Sequence, residues 1–218
     1  MFKGILESSI LSIALEKGLV DIRLTDIRNF SYAIHRNVDD RPYAGGPGML
    51  LKPEPVFRAV ESIPHDLAPQ YILLTPQGEV FQQRIAYQLS QKEHLVLICG
   101  HYEGFDERIR LGLQPKEISI GDYVLTGGEI PAMVLVDSVV RLIPGVLGDK
   151  DSTEHESFSH GLLEYPQYTR PPVFRDMPVP EILYSGHHKK IEEWKQAKAL
   201  ERTRLRRPDL LENAGVNQ

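Results

Sequence analysis

Three glycine-rich stretches, each following an apolar run, are the residues of this sequence whose types and spacing could support chemistry. The most concentrated is SIGDYVLTGGE at 119–129, and the other two are TPQG at 75–78 and GHYEG at 100–104. Glycine lets a backbone approach a ligand closely and leaves its N–H groups accessible. We interpret the three stretches as loops of one binding site, although a pair such as Gly127-Gly128 is also typical of an ordinary tight turn.

The known phosphate-binding patterns are missing from these loops. None of them contains G-x-G-x-x-G, and the sequence has no G-x-x-x-x-G-K-[ST] motif. A standard dinucleotide site or P-loop is therefore not supported. Because the loops also carry few cations, the pattern favours a ligand without phosphate groups.

Apolar runs alternate with amphipathic segments along most of the chain and predict the elements that position these loops. We expect strands at residues 20–24, 71–74, 94–99 and 117–120. We expect helices at residues 2–17, 54–62, 79–91 and 130–143, the last with Pro131 in its first turn. The alternation predicts an α/β fold with a mostly parallel sheet covered by helices, in which ligand loops lie at the carboxyl ends of the strands.

Two stretches lack this alternation. Residues 36–49 are rich in Asp, Pro and Gly and predict a loop, whereas residues 145–180 are polar, acidic and rich in proline. The second stretch is typical of a linker that is mobile until something binds. A further helix is expected at 188–204. We therefore predict a main domain at 1–147, a linker at 148–172 and a small helical domain at 173–218.

The composition is that of an ordinary soluble protein. Of 218 residues, 41% are hydrophobic and 25% are charged, and no apolar run is long enough for a membrane span. The first residues do not resemble a signal or transit peptide. The single cysteine, Cys99, can form no internal disulfide, and its place at the end of an apolar strand favours an inert core thiol. These features predict a cytoplasmic protein.

The distribution of charge leaves the partner open. The formal net charge is -5, which is unusual for a protein that binds a phosphate backbone. Residues 187–207 nevertheless contain eight Lys and Arg against three Glu, with Trp194 among them. This segment is consistent either with a local RNA-binding surface or with the solvated face of an ordinary helix.

Several longer motifs carry a resemblance to a known family. They are VDDRPY at 38–43, GGPGM at 45–49, CGHYEGFDER at 99–108, SIGDYVLTGGE at 119–129, IPGVLG at 143–148, YPQYTRP at 165–171 and RRPDLL at 206–211. In this order they closely resemble the bacterial tRNA (guanine-N1)-methyltransferases, the TrmD family of the SPOUT superfamily. The resemblance implies tRNA as partner, a homodimer, and a trefoil knot in the C-terminal half of the α/β domain, which general topology rules alone would not predict.

Members of this family usually begin with a further strand and turn before the helix that corresponds to residues 2–17. Losing a strand from a parallel sheet exposes ladder groups. We therefore expect either that this chain is shortened at its start or that its sheet is completed differently.

The resemblance implies transfer of a methyl group from S-adenosylmethionine to N1 of the guanosine immediately 3′ of the anticodon in tRNA. It implies that the donor is held at Leu74, Thr75, Pro76, Gln77, Gly100, Tyr102, Gly104, Ser119, Ile120, Gly121, Asp122, Tyr123, Val124, Leu125, Gly127 and Gly128. Glu103 would face the sulfonium or the amino-acid part of the donor, although an acid at this place is also typical of a helix N-terminus.

Two further roles follow from the resemblance. Methylation of N1 requires removal of its proton and stabilisation of charge on O6. Glu156 stands where the family commonly has Asp and would take the proton, although it is also consistent with a solvated acid, and His155 is a weaker candidate. Arg141 matches the arginine that polarises O6, and it is equally spaced for an ion pair with Asp137.

Some positions are less specific. His101 stands where the family usually has Arg, so the fixed positive charge of that loop is replaced by a side chain that is mostly neutral at pH 7. The residues expected to contact tRNA, on weaker grounds, are Asp39, Tyr43, Tyr168, Arg170, Arg206 and Arg207. The family depends on Mg²⁺, but the sequence has no dedicated metal-ligand cluster, so any Mg²⁺ would be held through the substrates or the site carboxylates.

Two other functions stay open at this stage. One is a knotted RNA methyltransferase that acts on a different nucleotide. The other is an RNA-binding protein that binds the donor without catalysis, for which the relevant departures are the missing first strand, His101 and Glu156. A nicotinamide-dependent oxidoreductase would need the phosphate-binding fingerprint that the loops lack.

Overall fold

The structure is a computed structural model that describes residues 1–64, 68–148 and 156–213. The chain divides into two compact units, Met1–Gly148 and Asp149–Gln218. The first unit contains a parallel sheet with helices on both of its faces. The second contains one long helix with irregular chain packed on it.

The sheet of the first unit has its longest strand in the middle. Strand β3 (Gln70–Val80) pairs in parallel with β4 (Leu95–Cys99) on one side and with β5 (Lys116–Ser119) on the other. Ile72 and Leu73 in β3 are fully buried because helices cover both faces. The predicted α/β architecture with a parallel sheet is confirmed.

Each face of the sheet is closed by its own pair of helices. On one face, α3 (Pro53–Glu61) and α5 (Glu107–Leu113) form a core with Leu73 and Ile98. On the other, α4 (Gln83–Ser90) and α6 (Glu129–Val140) pack around Ile72, Leu74 and Ile118. The helices predicted at 54–62 and 130–143 are confirmed to within a few residues at their ends. Helix α5 was not predicted from the sequence; the side chain of Asp106 caps it by accepting from the N–H of Arg108 (2.9 Å).

The prediction that β3 ends before Thr75 is wrong. The chain leaves the sheet after Leu74 and returns to it at Glu79, and both parts of the strand pair with β5. The backbone N–H of Phe81 then donates to the carbonyl of Ser119 (2.7 Å), which keeps this segment extended. As a result, α4 begins at Gln83 rather than at 79 as the apolar pattern predicted.

The N-terminal segment also differs from its prediction. Instead of one helix at 2–17 there are two, α1 (Lys3–Leu6) and α2 (Ser9–Glu16), because the backbone of Ser8 is extended. Helix α2 buries Leu11 and Ala14 in a third cluster with Val140 and Val146. The strand predicted at 20–24 is wrong, since these residues pair with no strand of the described chain.

Short elements join these parts of the first unit. A 3₁₀ helix (Ile27–Phe30) follows the N-terminal segment. Strands β1 (Asp39–Asp40) and β2 (Leu50–Leu51) then pair antiparallel. The segment predicted as a loop at 36–49 therefore contains β1, and its glycine-rich residues connect β1 to β2. Leu51 is 1% exposed and anchors this connection in the core.

In the second unit, β6 (Val173–Phe174) and β7 (Met177–Pro178) form a hairpin, followed by a 3₁₀ helix (Glu181–Tyr184), α7 (His188–Arg206) and α8 (Asp209–Asn213). The predicted helix at 188–204 is confirmed. The hydroxyl of fully buried Thr203 on α7 donates to the carbonyl of Ala199 (2.7 Å) and accepts from the N–H of Leu163 (2.9 Å). The chain before β6 is thereby attached to α7. Among the described residues, no helix combines the length and apolar character that crossing a membrane requires.

Candidate functional site

The loop after β4 and the loop before α6 are joined directly. The backbone N–H of Gly128 donates to the carbonyl of Gly100 (2.7 Å), and His101 forms an antiparallel bridge with Gly127. A Cβ atom at Gly128 would lie 2.7 Å from the nitrogen of Gly100, which is closer than packed atoms approach. Glycine is therefore required at this junction by close approach of the two backbones.

The loop that follows β5 is held by its own hydrogen bonds. The hydroxyl of Ser119 accepts from the N–H of Gly121 (3.2 Å) and donates to its carbonyl (3.1 Å), and the hydroxyl of Tyr123 donates to the carbonyl of Ile120 (3.0 Å). Gly121 has a φ of +148°, and the ring of Tyr123 lies against it. Next in the chain, Asp122, Tyr123, Val124 and Leu125 are all exposed. The loop thus presents apolar side chains from a fixed backbone.

The third loop is the excursion Thr75–Gly78 within β3. Thr75 is 9% exposed, and its hydroxyl accepts from the N–H of Gln77 (3.3 Å). Gly78 lies against the backbone of β5, where a Cβ would be 2.4 Å from the nitrogen of Ile118. Leu74 is buried, whereas Pro76 and Gln77 are exposed. The ends of the excursion are therefore packed and its tip faces solvent.

Glu103 lies where two loops cross. Its N–H donates to the carbonyl of Met49 (3.0 Å), and its side chain packs so closely on Gly48 that a Cβ there would clash. Its neighbour Tyr102 has a left-handed backbone (φ 62°) and accepts at its hydroxyl from Arg28 (3.0 Å), and Gly104 accepts at its carbonyl from the N–H of Leu51 (2.9 Å). The structure thus brings the glycine-rich segment before β2 against the loop that contains Glu103.

Cys99 is the last residue of β4, directly before the loop that starts at Gly100, and its thiol is unreactive. Burial, together with the nearby carboxylate of Glu129, raises the pKa of the Cys99 thiol from 9.0 to about 12. The thiol is therefore protonated at neutral pH, as an inert core residue would be. The imidazole of His101 lies 3.9 Å from the Glu129 carboxylate on the solvent side of the same junction.

The two residues with predicted roles in proton transfer and charge stabilisation belong to different units. Arg141 is the C-terminal cap of α6, and its N–H donates to the carbonyl of Asp137 (3.3 Å). Glu156 begins a turn in the second unit, where its carbonyl accepts from the N–H of Ser159 (3.2 Å). His155 lies outside the described residues.

Sequence reasoning missed a group of charged side chains beneath the loops. The Arg110 side chain, 15% exposed, donates to carboxylates of Glu117 (2.9 Å) and Glu107 (3.2 Å) and to the hydroxyl of Thr75 (3.4 Å). The (i, i+3) spacing of Glu107 and Arg110 is visible in the sequence. No local sequence pattern predicts that Glu117 and Thr75 both contact the guanidinium of Arg110.

The basic segment of the second unit is partly neutralised. Its paired cations are Lys195 with Glu192 (2.7 Å), Lys198 with Glu201 (2.6 Å) and Arg207 with Asp209 (2.6 Å), and the last pair lowers the pKa of the Asp209 carboxyl. Of the other five cations, the half-buried Arg202 donates to the backbone carbonyl of Glu164 (3.1 Å). Within the described part of the chain, the four exposed ones, Lys189, Lys190, Arg204 and Arg206, have no carboxylate partner. These four exposed cations are the ones that remain available to an anionic partner.

No group of three or more His, Cys, Asp or Glu side chains suited to a metal ion occurs within residues 1–64, 68–148 and 156–213. Loops that leave parallel strands of one sheet and meet through glycine backbones define an α/β protein with a candidate ligand site at the carboxyl edge of its sheet.

The family of the protein follows from its sequence relatives. The family model described as tRNA (Guanine-1)-methyltransferase TrmD matches residues 1–213, and the chain belongs to this family. This confirms the resemblance inferred from the motifs.

Three curated bacterial relatives illustrate the similarity, and each is named tRNA (guanine-N(1)-)-methyltransferase. The protein of Brevibacillus brevis is 60% identical over 216 residues, which are 99% of this chain and 89% of the relative. That of Dictyoglomus turgidum is 57% identical over 218 residues, covering 100% of this chain and 88% of the relative. That of Geobacillus kaustophilus is 61% identical over 213 residues, covering 97% and 87%.

Proposed function

We propose that this protein is an enzyme that transfers a methyl group from S-adenosylmethionine to N1 of a guanosine in tRNA, namely the guanosine immediately 3′ of the anticodon. Its family membership and the shared name of its relatives support the reaction. The structural observation that carries the proposal is the junction at which Gly128 bonds Gly100 (2.7 Å), because it assembles separate glycine loops into one backbone-lined site.

The loops are suited to S-adenosylmethionine, which supplies an electrophilic methyl group on a sulfonium when bound. The loop sequences themselves carry few cations, in keeping with a donor that has no phosphate groups. The junction at Gly100 and Gly128 brings the backbones of two loops together, and Ile120, Tyr123 and Leu125 supply apolar surface. The exposed tip of the Thr75–Gly78 excursion completes the set of donor-binding residues that the family resemblance implies.

The chemistry requires one proton acceptor and one hydrogen-bond donor. As the N1–methyl bond forms and the methyl–sulfur bond breaks, the carboxylate of Glu156 takes the N1 proton, and the guanidinium of Arg141 stabilises charge on O6. The carboxylate of Glu103 would complement the positive charge of the sulfonium, the role that the family resemblance implies for it. Glu156 carries one methylene more than the Asp that the family usually has at this position.

Further parts of the proposal come from the family resemblance. They are a trefoil knot in the C-terminal half of residues 1–147, a homodimer in which the linker of one subunit serves the site of the other, and a tRNA-binding role for residues 173–218. The four exposed cations Lys189, Lys190, Arg204 and Arg206 support the last of these. Any Mg²⁺ is held through the substrates or the site carboxylates, and a cytoplasmic location fits a tRNA substrate.

Methyl transfer from labelled S-adenosylmethionine to tRNA transcripts tests the proposal. The transcripts carry either G or A immediately 3′ of the anticodon, and Glu156→Gln is compared with Glu181→Gln, an exposed acid of the same unit. We expect label on the G transcript alone, a loss of about a hundredfold or more in Glu156→Gln, and near wild-type transfer in Glu181→Gln.

Three other outcomes would argue against parts of this proposal. Label on both transcripts would show that the target nucleotide is different. Label on neither, with the donor still bound, would favour a non-catalytic RNA-binding protein. Full activity in Glu156→Gln would remove that carboxylate from the mechanism.

A further inference from the structure

The Thr75–Gly78 excursion is held at both ends by charged side chains from neighbouring elements. Where the chain returns to the sheet, the Glu79 carboxylate pairs with Arg84 (2.5 Å) and with Lys116 of β5 (3.4 Å). Where the chain leaves the sheet, Arg110 of α5 reaches the hydroxyl of Thr75 (3.4 Å). These charged side chains therefore hold the two ends of the excursion, and none of them bonds the exposed tip.

The contact of Arg110 with Thr75 is more specific in its geometry than the ion pairs of Glu79 at the other end of the excursion. Its side chain is 15% exposed, and its Nε donates to Glu117 of β5 at 2.9 Å. A guanidinium is planar and donates in fixed directions, so one that is held by a carboxylate presents its remaining N–H groups at defined positions. Glu117 therefore orients Arg110, and Arg110 in turn meets the excursion.

The contact with Thr75 continues into the turn itself. The Thr75 hydroxyl that accepts from Arg110 also accepts from the backbone N–H of Gln77 (3.3 Å). Because Thr75 is 9% exposed, few other partners can replace these bonds. The position of the exposed Pro76-Gln77 tip thus depends on where the guanidinium holds that oxygen.

We propose that Arg110, oriented by Glu117, is a positioning residue for the methyl donor, which it serves by fixing the Thr75–Gly78 excursion in its donor-binding conformation. The inference rests on the proposed function, which assigns Leu74 to Gln77 to the donor. Arg110 acts through the Thr75 hydroxyl. Without the Arg110 guanidinium, the excursion becomes ordered only when the donor binds. The entropy lost in that ordering lowers the affinity for the donor.

The comparison that tests this uses three variants of the 218-residue chain. Arg110→Met keeps the apolar stem and removes the guanidinium, Arg110→Lys keeps the charge without the planar fork, and Glu107→Gln removes only the exposed partner of Arg110. For each, the Kd for S-adenosylmethionine is measured by calorimetry, together with KM for donor and for tRNA, kcat, and Tm.

We expect Arg110→Met to raise Kd and KM for the donor roughly tenfold, the scale of one charge-assisted hydrogen bond, with KM for tRNA within about twofold of wild type. Arg110→Lys should recover only part of the loss, and Glu107→Gln should bind the donor as the wild type does. A Kd for the donor that is unchanged in Arg110→Met would overturn the inference and leave the proposed function standing. No donor binding by the wild type would overturn both.

A double-mutant cycle separates positioning from general stability. If Arg110 acts through Thr75, the effects of Arg110→Met and Thr75→Val on the donor Kd are not additive, because each removes the same interaction. Additive effects would mean that Arg110 supports the fold in another way, and would contradict the inference. Should Arg110→Met be too unstable for binding measurements, Glu117→Gln replaces it in the cycle, with the same expectation of non-additivity.

Discussion

Gly128 donates its backbone N–H to the carbonyl of Gly100 across 2.7 Å, which joins the loop after β4 to the start of α6. This bond connects residues that are far apart in the sequence and lie at the carboxyl edge of the sheet. The candidate site is assembled around it, because the third loop, the Thr75–Gly78 excursion, belongs to β3, the strand between β4 and β5.

Replacing Gly128 with alanine is expected to disrupt this junction. The new Cβ would lie 2.7 Å from the nitrogen of Gly100 and 2.8 Å from the Cα of Cys99, so backbone rather than a flexible side chain must move. Such overpacking costs about 1–3 kcal/mol, or roughly 2–12 °C in Tm for a chain of this size. Calorimetric binding of S-adenosylmethionine should weaken at least about tenfold.

Gly4→Ala is the matched control, since a Cβ at Gly4 meets nothing within 4 Å. It should leave donor affinity at the wild-type value. Wild-type donor affinity in Gly128→Ala would mean that the junction does not contribute to the donor-binding site.

Cys99 is expected to resist alkylation until strongly alkaline pH. Its thiol has a pKa raised to about 12, so the reactive thiolate stays a minor species up to that pH, whereas in the unfolded chain it forms near pH 9. At pH 8 the native protein should react with iodoacetamide at least about a hundredfold more slowly than in denaturant. The rate, followed by mass spectrometry, should still be rising at pH 10; a plateau near pH 9 would contradict this burial.

Thr203→Val is expected to destabilise the second unit. Valine has nearly the same shape but removes the hydroxyl that accepts from the N–H of Leu163 (2.9 Å), and an unsatisfied buried group costs about 1–3 kcal/mol. Denaturant unfolding followed by hydrogen exchange of the Leu163 amide would measure the loss. Thr169→Val, at an exposed position, should be within about 0.5 kcal/mol of wild type. Equal stability of both variants would mean that the Leu163–Thr203 bond contributes nothing.

Arg204 and Arg206 of α7 are expected to carry electrostatic binding of tRNA. Arg204→Gln combined with Arg206→Gln should weaken binding and reduce the slope of log K against log salt by roughly 0.7–0.9 for each phosphate that the protein no longer neutralises. Lys198→Gln should change the slope less, because Glu201 already neutralises Lys198 at 2.6 Å. Filter binding across a salt series measures the slopes, and an unchanged slope in the double variant would mean that other residues bind the phosphates.

Much of the α/β domain could be predicted from local pattern. Strands β4 and β5 and helices α3 and α6 follow the apolar runs to within a few residues. Elements that depend on distant partners could not be predicted. The predicted strand at 20–24 pairs with no described strand, and the single helix predicted at 2–17 is interrupted at Ser8, where periodicity carries no information about the break.

The candidate site divides in the same way. The glycine-rich loops and the family could be predicted from the sequence alone, because both are recognised from the order of residue types along the chain. The continuation of β3 beyond the Thr75–Gly78 excursion, the contact of Gly48 with Glu103, and the convergence of Glu117 and Thr75 on Arg110 could not. Each joins residues that no periodicity links. The sequence by itself determined which residues line the loops, whereas only the tertiary structure, through sheet register and backbone contact, decided which of them meet.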